Sequence, residues 1–218
     1  MVQVVVIDYG MGNLHSVSKA LETVGADVLV SADPKDLKNA DQIVLPGVGS
    51  FDQGMARLSE LGLIDKLNEE VIIKKKPFLG ICLGMHLAAK IGEEGGTTNG
   101  LGWIDAKVVR FDLKAKELKV PHMGWDDVSF INDSPLFSGM RSPSTLYFVH
   151  SYHFVPSDPG IITGICDYGG EFVAAIRKDN INLMQFHPEK SQGVGLQILE
   201  NFISLSSEKN VPGVLACA

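Results

Sequence analysis

The stretch that most constrains the fold is residues 77–86, with the sequence PFLGICLGMH. Its first five residues form a short apolar run typical of a buried strand, and apolar residues recur at helical spacing after Cys82. Cys82 therefore lies where a strand turns sharply into a helix. Gly80 and Gly84 flank it and fit a tight turn with no room for Cβ atoms beside its apex. The pattern predicts a nucleophile elbow with a cysteine at its tip.

A cysteine at this position has two interpretations. Its sulfur would lie at the positive N-terminal end of a helix, which favours the thiolate, and the next backbone N–H could point at an oxyanion. Free cysteines are also common core residues, so the pattern Gly-x-Cys-x-Gly alone leaves a buried structural cysteine open. A nucleophile would need a base, which can lie far away in the sequence.

Length and composition predict the class of protein. The chain has 218 residues, 45% of them hydrophobic and 21% charged, which is enough for one large α/β domain. We predict a single domain at residues 1–208 and a disordered C-terminal tail at 209–218. The net charge of -7 argues against binding to nucleic acid or to an anionic membrane.

The cysteines and the N-terminus predict where the protein works. The three cysteines, Cys82, Cys166 and Cys217, include no CxxC pair, so we expect neither a disulfide framework nor a metal site. The sequence begins MVQVVVIDYG, without a basic segment followed by a long apolar one, and no later run is long enough to span a membrane. We therefore expect a cytoplasmic protein.

The first half of the chain alternates strands and helices, which is typical of a parallel sheet. The predicted strands before the elbow are Val2–Ile7, Asp27–Val30 and Gln42–Leu45, and the predicted helices are Asn13–Val24, Met55–Leu61 and Leu63–Ile73. The lysines at 74–76 fit a solvated helix end. Gly10 and Gly12 lack the third glycine and the acidic residue of a dinucleotide-binding loop, so we expect a turn and no cofactor there.

The strand Gln42–Leu45 leads into PGVGSF, residues 46–51. Two glycines flank Val48 at the carboxyl end of a strand, the edge at which open α/β folds bind ligands. Such a loop can turn a backbone N–H toward an oxyanion, but a plain Pro-Gly turn fits the same residues.

The second half of the chain is predicted to form mainly strands. The polar segment 93–102 carries Glu94, a possible carboxylate for an amine, and residues 119–128 pack His122, Met123 and Trp125 around a predicted turn or β-bulge. The predicted strands are Leu101–Phe111, Leu146–Val155, Ile161–Cys166, Phe172–Arg177 and Ile181–Gln185, and a helix is predicted at Gln192–Ser206. Within the second of these strands, His150 and His153 are expected to have packing roles.

The candidate base is His187, in the segment MQFHPEKSQ. Pro188 favours an extended conformation for His187, and residues two apart in extended chain point the same way, so Glu189 can hold one imidazole nitrogen. The other nitrogen is then free to take a proton from a thiol, as in a catalytic triad. His86 is the rival base, but one helical turn after Cys82 it should not overhang the tip of the elbow.

The motifs GICLGMH, PGVGSF and HPEKSQ together make the chain resemble the class I, triad-type glutamine amidotransferases over nearly its whole length. Within that class, DYGMGNLHSV, PHMGW, FVHSY and HPEKSQ are similar to the glutaminase subunits of imidazole glycerol phosphate synthase. The resemblance implies a three-layer α/β fold with a mostly parallel central sheet, flanking helices and a nucleophile elbow.

The resemblance also implies roles for individual residues. Cys82 would attack the side-chain amide of glutamine, His187 would transfer the proton, and Glu189 would orient His187. The remaining implied roles are an oxyanion hole at Gly47, Val48, Gly49 and the N–H of Leu83, glutamine binding by Glu94, Ser151 and Tyr152, and a partner surface at His122, Met123, Trp125 and Lys190. His86 occupies a substrate-contact position where family members generally have glutamine.

The implied partner is a separate cyclase subunit with a (β/α)8 barrel. It would use the ammonia to make imidazole glycerol phosphate and AICAR in histidine biosynthesis. Two alternatives stay open: a paralogue that supplies ammonia for amidation of a surface polysaccharide sugar, and a free-standing γ-glutamyl hydrolase. None of these activities requires a cofactor in this chain.

Overall fold

The computed structural model of the chain describes residues 1–113 and 118–205, in which thirteen strands form one sheet. The strands are β1 (Gln3–Ile7), β2 (Asp27–Ser31), β3 (Gln42–Gly47), β4 (Phe78–Cys82), β5 (Ala89–Gly92), β6 (Thr98–Asn99), β7 (Ile104–Arg110), β8 (His122–Phe130), β9 (Ser144–His150), β10 (Tyr152–Pro156), β11 (Ile162–Asp167), β12 (Glu171–Lys178) and β13 (Ile181–Met184). The helices are α1 (Leu14–Thr23), α2 (Phe51–Glu60), α3 (Leu63–Leu67), α4 (Leu83–Leu87) and α5 (Gln192–Ile203). The predicted domain end at residue 208 and the tail at 209–218 lie outside the described residues.

Five strands at the centre of the fold run parallel, in the order β2-β1-β3-β4-β13. This confirms the predicted parallel sheet, in which β1, β3, β4 and β13 are buried and are largely apolar, whereas the edge strand β2 is mostly exposed. Beyond β13 the sheet continues through antiparallel pairs to β12, β10 and β7, with β11, β8 and β9 as a side branch. The parallel pairing of β3 with β4 brings Gly47 opposite Cys82 at the carboxyl edge.

Helices cover both faces of this sheet, which gives three layers. Side chains alternate along β1, so that Val4 and Val6 join one hydrophobic cluster while Val5 and Ile7 join another on the opposite face. The first cluster includes apolar residues of α1 and α5, and the second includes those of α2, α3 and α4. Asn13, predicted as the first residue of this helix, is the N-cap of α1, because its side chain accepts a hydrogen bond from the N–H of Ser16.

The helical region before the elbow differs in detail from the prediction. Helix α2 begins at Phe51 rather than Met55, and the predicted helix at Leu63–Ile73 is α3 followed by a π-helical stretch at Asn68–Ile73. The longest helix in residues 1–113 and 118–205 is α5, with 12 residues. None of the helices in these ranges is long and apolar enough to cross a membrane.

The lysine run at 74–76 is not a simple solvated helix end. The carboxylate of Glu70 is fully buried and forms ion pairs with Lys66, Lys74 and Lys76 at 2.9, 2.7 and 3.0 Å. Burial alone would raise the pKa of Glu70, but the three ammonium groups lower it to about 2. Two lysines of the run therefore neutralise a buried charge, which no local pattern in the sequence indicated.

Three predictions in the later part of the chain were wrong about secondary structure. The helix after Cys82 ends at Leu87, and the chain then forms β5. The predicted turn at 119–128 is instead the start of strand β8, which pairs antiparallel with β9 and places His122 opposite His150. The predicted strand Leu146–Val155 is two strands, β9 and β10, separated at Ser151.

Candidate active site

Cys82 lies at the tip of a sharp strand-to-helix turn. It is the last residue of β4, and its backbone has φ 53° and ψ -105°, a left-handed conformation that is costly for a residue with a side chain. The flanking glycines are required sterically, because a Cβ on Gly84 would lie 1.8 Å from the carbonyl oxygen of Leu45 and one on Gly80 would lie 2.7 Å from that of Gly84. The sequence prediction of a nucleophile elbow is thereby confirmed in its geometry.

His187 and Glu189 form a buried pair beside this cysteine. The Nδ1 atom of His187 lies 2.7 Å from Oε1 of Glu189, and both side chains are at least 97% buried. The pairing was expected from extended chain, but residues 188–190 form a 3-10 turn. The backbone of His187 is anchored on both sides, since its N–H donates to the carbonyl of Tyr147 at 2.9 Å and its carbonyl accepts from the hydroxyl of Ser191 at 2.7 Å.

The free face of His187 is turned toward the thiol. Its Nε2 atom is buried, and no atom of the described residues lies in hydrogen-bonding geometry with it. Burial would lower the pKa of His187, but interaction with Cys82 and then with Glu189 outweighs it and raises the pKa to about 10. The imidazolium form of His187 is therefore favoured beside the sulfur, with the carboxylate of Glu189 bonded to Nδ1 on the other side of the ring.

Gln185 joins the site and was missed from the sequence. Its amide nitrogen lies 3.7 Å from Sγ of Cys82, and its Oε1 lies 2.7 Å from Nε2 of His86. Burial lowers the pKa of His86 to about 4, although the hydrogen bond to Gln185 opposes the shift. His86 is therefore neutral near pH 7 and pairs with Gln185. The strand alternation that placed His187 could have identified Gln185, which precedes it by two residues.

The loop at 47–49 lies beside the elbow, as predicted. The side chain of Val48 is 44% exposed, and Gly49 has φ 111°, a conformation that favours glycine. Gly47 is tightly enclosed, because a Cβ there would lie 2.0 Å from the hydroxyl of Tyr9 and 2.9 Å from Cβ of Leu83.

Tyr9 is a second residue that sequence reasoning missed. Its side chain is fully buried, and its hydroxyl has no hydrogen-bond partner within the described part of the chain. Burial, together with the charge of Cys82, raises its pKa, so the hydroxyl keeps its proton. An apolar strand end followed by a glycine-rich loop gave no signal for this placement, which depends on how β1 and β3 pack.

A cavity of about 420 Å³ opens in front of Cys82. Its walls include most of the predicted site residues: Val48, Gly49, Cys82, Leu83, His86, Glu94, Ser151 and Tyr152. His187, Glu189 and Gly47 are not among the residues that line it. The Oε2 atom of Glu94 accepts a hydrogen bond from the N–H of Phe51 at 2.9 Å, which holds the carboxylate in place. His150, assigned a packing role from the sequence, also lines the cavity.

A larger cavity, of about 570 Å³, lies elsewhere on the protein, around Phe130, Phe137 and Arg177. It contains none of the predicted site residues and no cysteine or histidine. Of the other cysteines, Cys166 is buried and burial raises its pKa to about 12, whereas Cys217 lies outside the described residues. The combination of thiol, base and enclosed space therefore occurs at Cys82.

Of the four residues predicted for the partner surface, three are exposed and one is buried. Met123 is 62% exposed and Trp125 is 46% exposed, and Lys190 lies over the ring of Tyr147, 5.3 Å from its centroid. Trp125 also contacts Tyr147, with 5.6 Å between ring centroids. His122 is completely buried, because side chains alternate along β8 and that of His122 points inward.

Comparisons with known proteins agree with this architecture. Residues 5–205 match the family model for glutamine amidotransferase class-I. A solved structure of a glutamine amidotransferase superposes with a TM-score of 0.70 at 20% identity, covering 91% of this chain and 98% of that one. The structure of PurLQS from Thermotoga maritima gives a TM-score of 0.72 at 17% identity, covering 93% and 97%. At such identities these structures show the shared fold.

Curated relatives are much more similar in sequence. Imidazole glycerol phosphate synthase subunit HisH 1 of Campylobacter jejuni is 48% identical over 202 residues, which is 93% of this chain and 100% of that protein. Subunit HisH 2 of Pseudomonas aeruginosa is also 48% identical over 202 residues, covering 93% and 99%. The chain therefore belongs to the class I glutamine amidotransferase family and, within it, to the HisH family of imidazole glycerol phosphate synthase subunits.

Proposed function

We propose that this chain hydrolyses L-glutamine to glutamate and ammonia and delivers the ammonia to a cyclase subunit of imidazole glycerol phosphate synthase. The observation that carries the proposal is the buried His187–Glu189 pair at 2.7 Å beside Cys82, at the inner wall of a cavity large enough for an amino acid. Membership of the HisH family supports the same activity and implies a partner subunit.

The chemistry follows from the arrangement of the three groups. The thiolate of Cys82 attacks the side-chain carbonyl carbon of glutamine, and His187 gives its Nε2 proton to the leaving ammonia. Water, deprotonated by the same nitrogen, then hydrolyses the glutamyl thioester. Glu189 accepts a hydrogen bond from Nδ1 throughout, which holds the ring and stabilises the imidazolium.

The oxyanion and the substrate's polar groups need partners in the cavity. We assign the oxyanion to the N–H of Leu83 and to the loop Gly47, Val48 and Gly49, which faces Cys82 across the β3–β4 pair. The carboxylate of Glu94 suits the substrate ammonium, and Ser151 and Tyr152 line the same cavity. The neutral imidazole of His86 also lines the cavity and adds no charge near the amide that is cleaved.

The cyclase, for which we infer a (β/α)8 barrel, would dock in the cytoplasm on the surface formed by Met123, Trp125, Tyr147 and Lys190. This surface adjoins the site, because the rings of Tyr147 and His187 are 6.5 Å apart. A glutaminase that works without its partner wastes ammonia, so a switch is expected. The peptide between Gly47 and Gly49 can rotate at low steric cost and turn the Val48 N–H toward or away from the oxyanion.

Labelling tests the nucleophile. A glutamine-like diazoketone should modify Cys82 and leave Cys166 unmodified, and peptide mapping by mass spectrometry locates the adduct. Cys166 is the internal control, because it is buried outside the cavity. A label on Cys166 with none on Cys82 would contradict the assignment.

Measurements of glutamate release test the partner. The rate should be low for the purified chain and rise on the order of 10²-fold with the cyclase and a ligand in its active site, as expected when one oxyanion donor is gained. Equal rates for the chain alone, with the cyclase, and with the cyclase and ligand would exclude the switch.

A further inference from the structure

Two buried histidines connect a carboxylate on strand β8 to the segment that lines the glutamine cavity. The Nε2 atom of His122 lies 2.6 Å from Oδ2 of Asp126, and its Nδ1 lies 3.1 Å from Nε2 of His150. The Nδ1 atom of His150 lies 2.8 Å from the carbonyl oxygen of Tyr152. We call the side chains of Asp126, His122 and His150 the histidine relay.

The relay needs three protons to satisfy its three contacts. Its two ends, a carboxylate and a backbone carbonyl, are both acceptors, and each of the three contacts needs one hydrogen between its atoms. Two neutral imidazoles supply only two. The fully bonded relay therefore holds one additional proton, which makes His122 an imidazolium that donates to Asp126 and to His150.

Loss of the third proton changes the contact at Tyr152. The bond to the Asp126 carboxylate is charge-assisted and is therefore the strongest, so His122 keeps its hydrogen on Nε2. Its Nδ1 must then accept from Nε2 of His150. A neutral His150 with its hydrogen on Nε2 presents a lone pair to the carbonyl of Tyr152, and the bond that held this carbonyl is lost.

We propose that the histidine relay is a proton-dependent positioning device for the glutamine site. With three protons it fixes the backbone of Ser151 and Tyr152, and with two it releases the carbonyl of Tyr152. The proposal rests on the proposed glutaminase function, because this segment lines the substrate cavity. The other carbonyl of the segment, that of Ser151, is held independently by the N–H of Phe111 at 3.1 Å, so Tyr152 is the part that the relay controls.

The surroundings of the relay set when it takes up the proton. Burial lowers the pKa of His122 and of His150, whereas Asp126 acts to raise that of His122. The other titratable groups that act on the relay are His86 and His153 beside His150, Cys166 beside Asp126, and Tyr168, whose ring stacks on that of His122. The third proton is thus bound on the acid side of neutrality. Among the described residues, no group of three or more His, Cys, Asp or Glu side chains could hold a metal ion. The ring nitrogens of His122 and His150 are therefore available to carry protons.

Replacing Asp126 tests the relay with little effect on the core, because its side chain is 40% exposed. In Asp126→Asn the amide can donate to Nε2 of a neutral His122, which supplies the third hydrogen at every pH. Asp127→Asn is the matched control, because it removes the same charge from the adjacent residue, whose carboxylate instead accepts from Thr145 at 2.7 Å.

The readout is the KM for glutamine between pH 5.5 and 8, measured on the chain in complex with its cyclase. For the wild type and Asp127→Asn we expect KM to rise about tenfold with pH, the scale of one buried hydrogen bond, with kcat unaffected by either substitution at a given pH. For Asp126→Asn we expect KM to keep its low-pH value. Equal pH dependence of KM in Asp126→Asn and Asp127→Asn would overturn the proposal.

Nuclear magnetic resonance of ¹⁵N-labelled histidine tests the relay without any catalytic assay. In the free wild-type chain, the hydrogen of His150 should move from Nδ1 to Nε2 as pH rises, and in Asp126→Asn it should stay on Nδ1. A hydrogen that stays on Nδ1 in the wild type at every pH would also overturn the proposal. A wild-type complex of the chain with its cyclase that released no glutamate from glutamine would refute the proposed function alone.

Discussion

Replacing Glu189 by glutamine removes the charge that stabilises the imidazolium of His187 while keeping an oxygen to accept from its Nδ1. The pKa of His187 is about 10 instead of 6.5, a difference that corresponds to about 5 kcal/mol at about 1.4 kcal/mol per pH unit. Cys82 is the larger cause of this rise and Glu189 the second, and the loss of one hydrogen bond to a charged group costs about 1.5 to 3 kcal/mol. We therefore expect kcat/KM for glutamine to fall on the order of 10²-fold at pH 7.

The assay is glutamate release by the complex with the cyclase, with Glu60→Gln as control, because Glu60 is exposed and pairs only with Arg57 among the described residues. Stability gives an independent readout. A raised histidine pKa stabilises the fold fully below pH 6.5 and ceases to do so above about pH 10. The difference in unfolding free energy between wild type and Glu189→Gln should follow that window. A loss of kcat/KM below about fivefold would refute the assignment of Glu189 as the group that orients His187.

Three further changes test the structure around the site. As the pH falls from 8 to 5, the free energy of unfolding of His86→Gln should decrease by about 2 kcal/mol less than that of the wild type. The reason is that the pKa of His86 is lowered from 6.5 to about 4 in the folded chain, so the unfolded chain binds the proton first. Equal decreases in free energy, measured by urea unfolding, would contradict this. Gly84→Ala should lower the free energy of unfolding by about 3 kcal/mol or more, since its Cβ would lie 1.8 Å from the oxygen of Leu45. Gly193→Ala is the control and should be neutral or stabilising, because Gly193 lies in α5 with open space around it. Similar changes in melting temperature for both variants would argue against the tight elbow. Tyr9→Phe should raise the free energy of unfolding by about 1 kcal/mol, because its buried hydroxyl has no partner in residues 1–113 and 118–205; a decrease would show that the hydroxyl is hydrogen-bonded.

Local sequence pattern was sufficient for the elbow and for the parallel centre of the sheet. Gly80, Cys82 and Gly84 predict the turn because its backbone conformation and the contact between Gly80 and Gly84 are set within a few residues, although the oxygen that excludes a Cβ on Gly84 belongs to Leu45 on β3. The apolar runs predict buried strands because burial on both faces excludes polar side chains. Glu189 was found for the same reason, since it lies two residues from His187, although a 3-10 turn rather than extended chain brings the two together.

Tertiary structure decided which distant residues meet. Gln185 reaches Cys82 because β13 runs parallel beside β4, and Tyr9 reaches Gly47 because β1 pairs with β3. His122 fitted a surface turn in the sequence, but the antiparallel pairing of β8 with β9 turns it inward against His150. In each case strand order and packing fix the contact, and a periodic pattern specifies which face of an element is buried without specifying what lies against it.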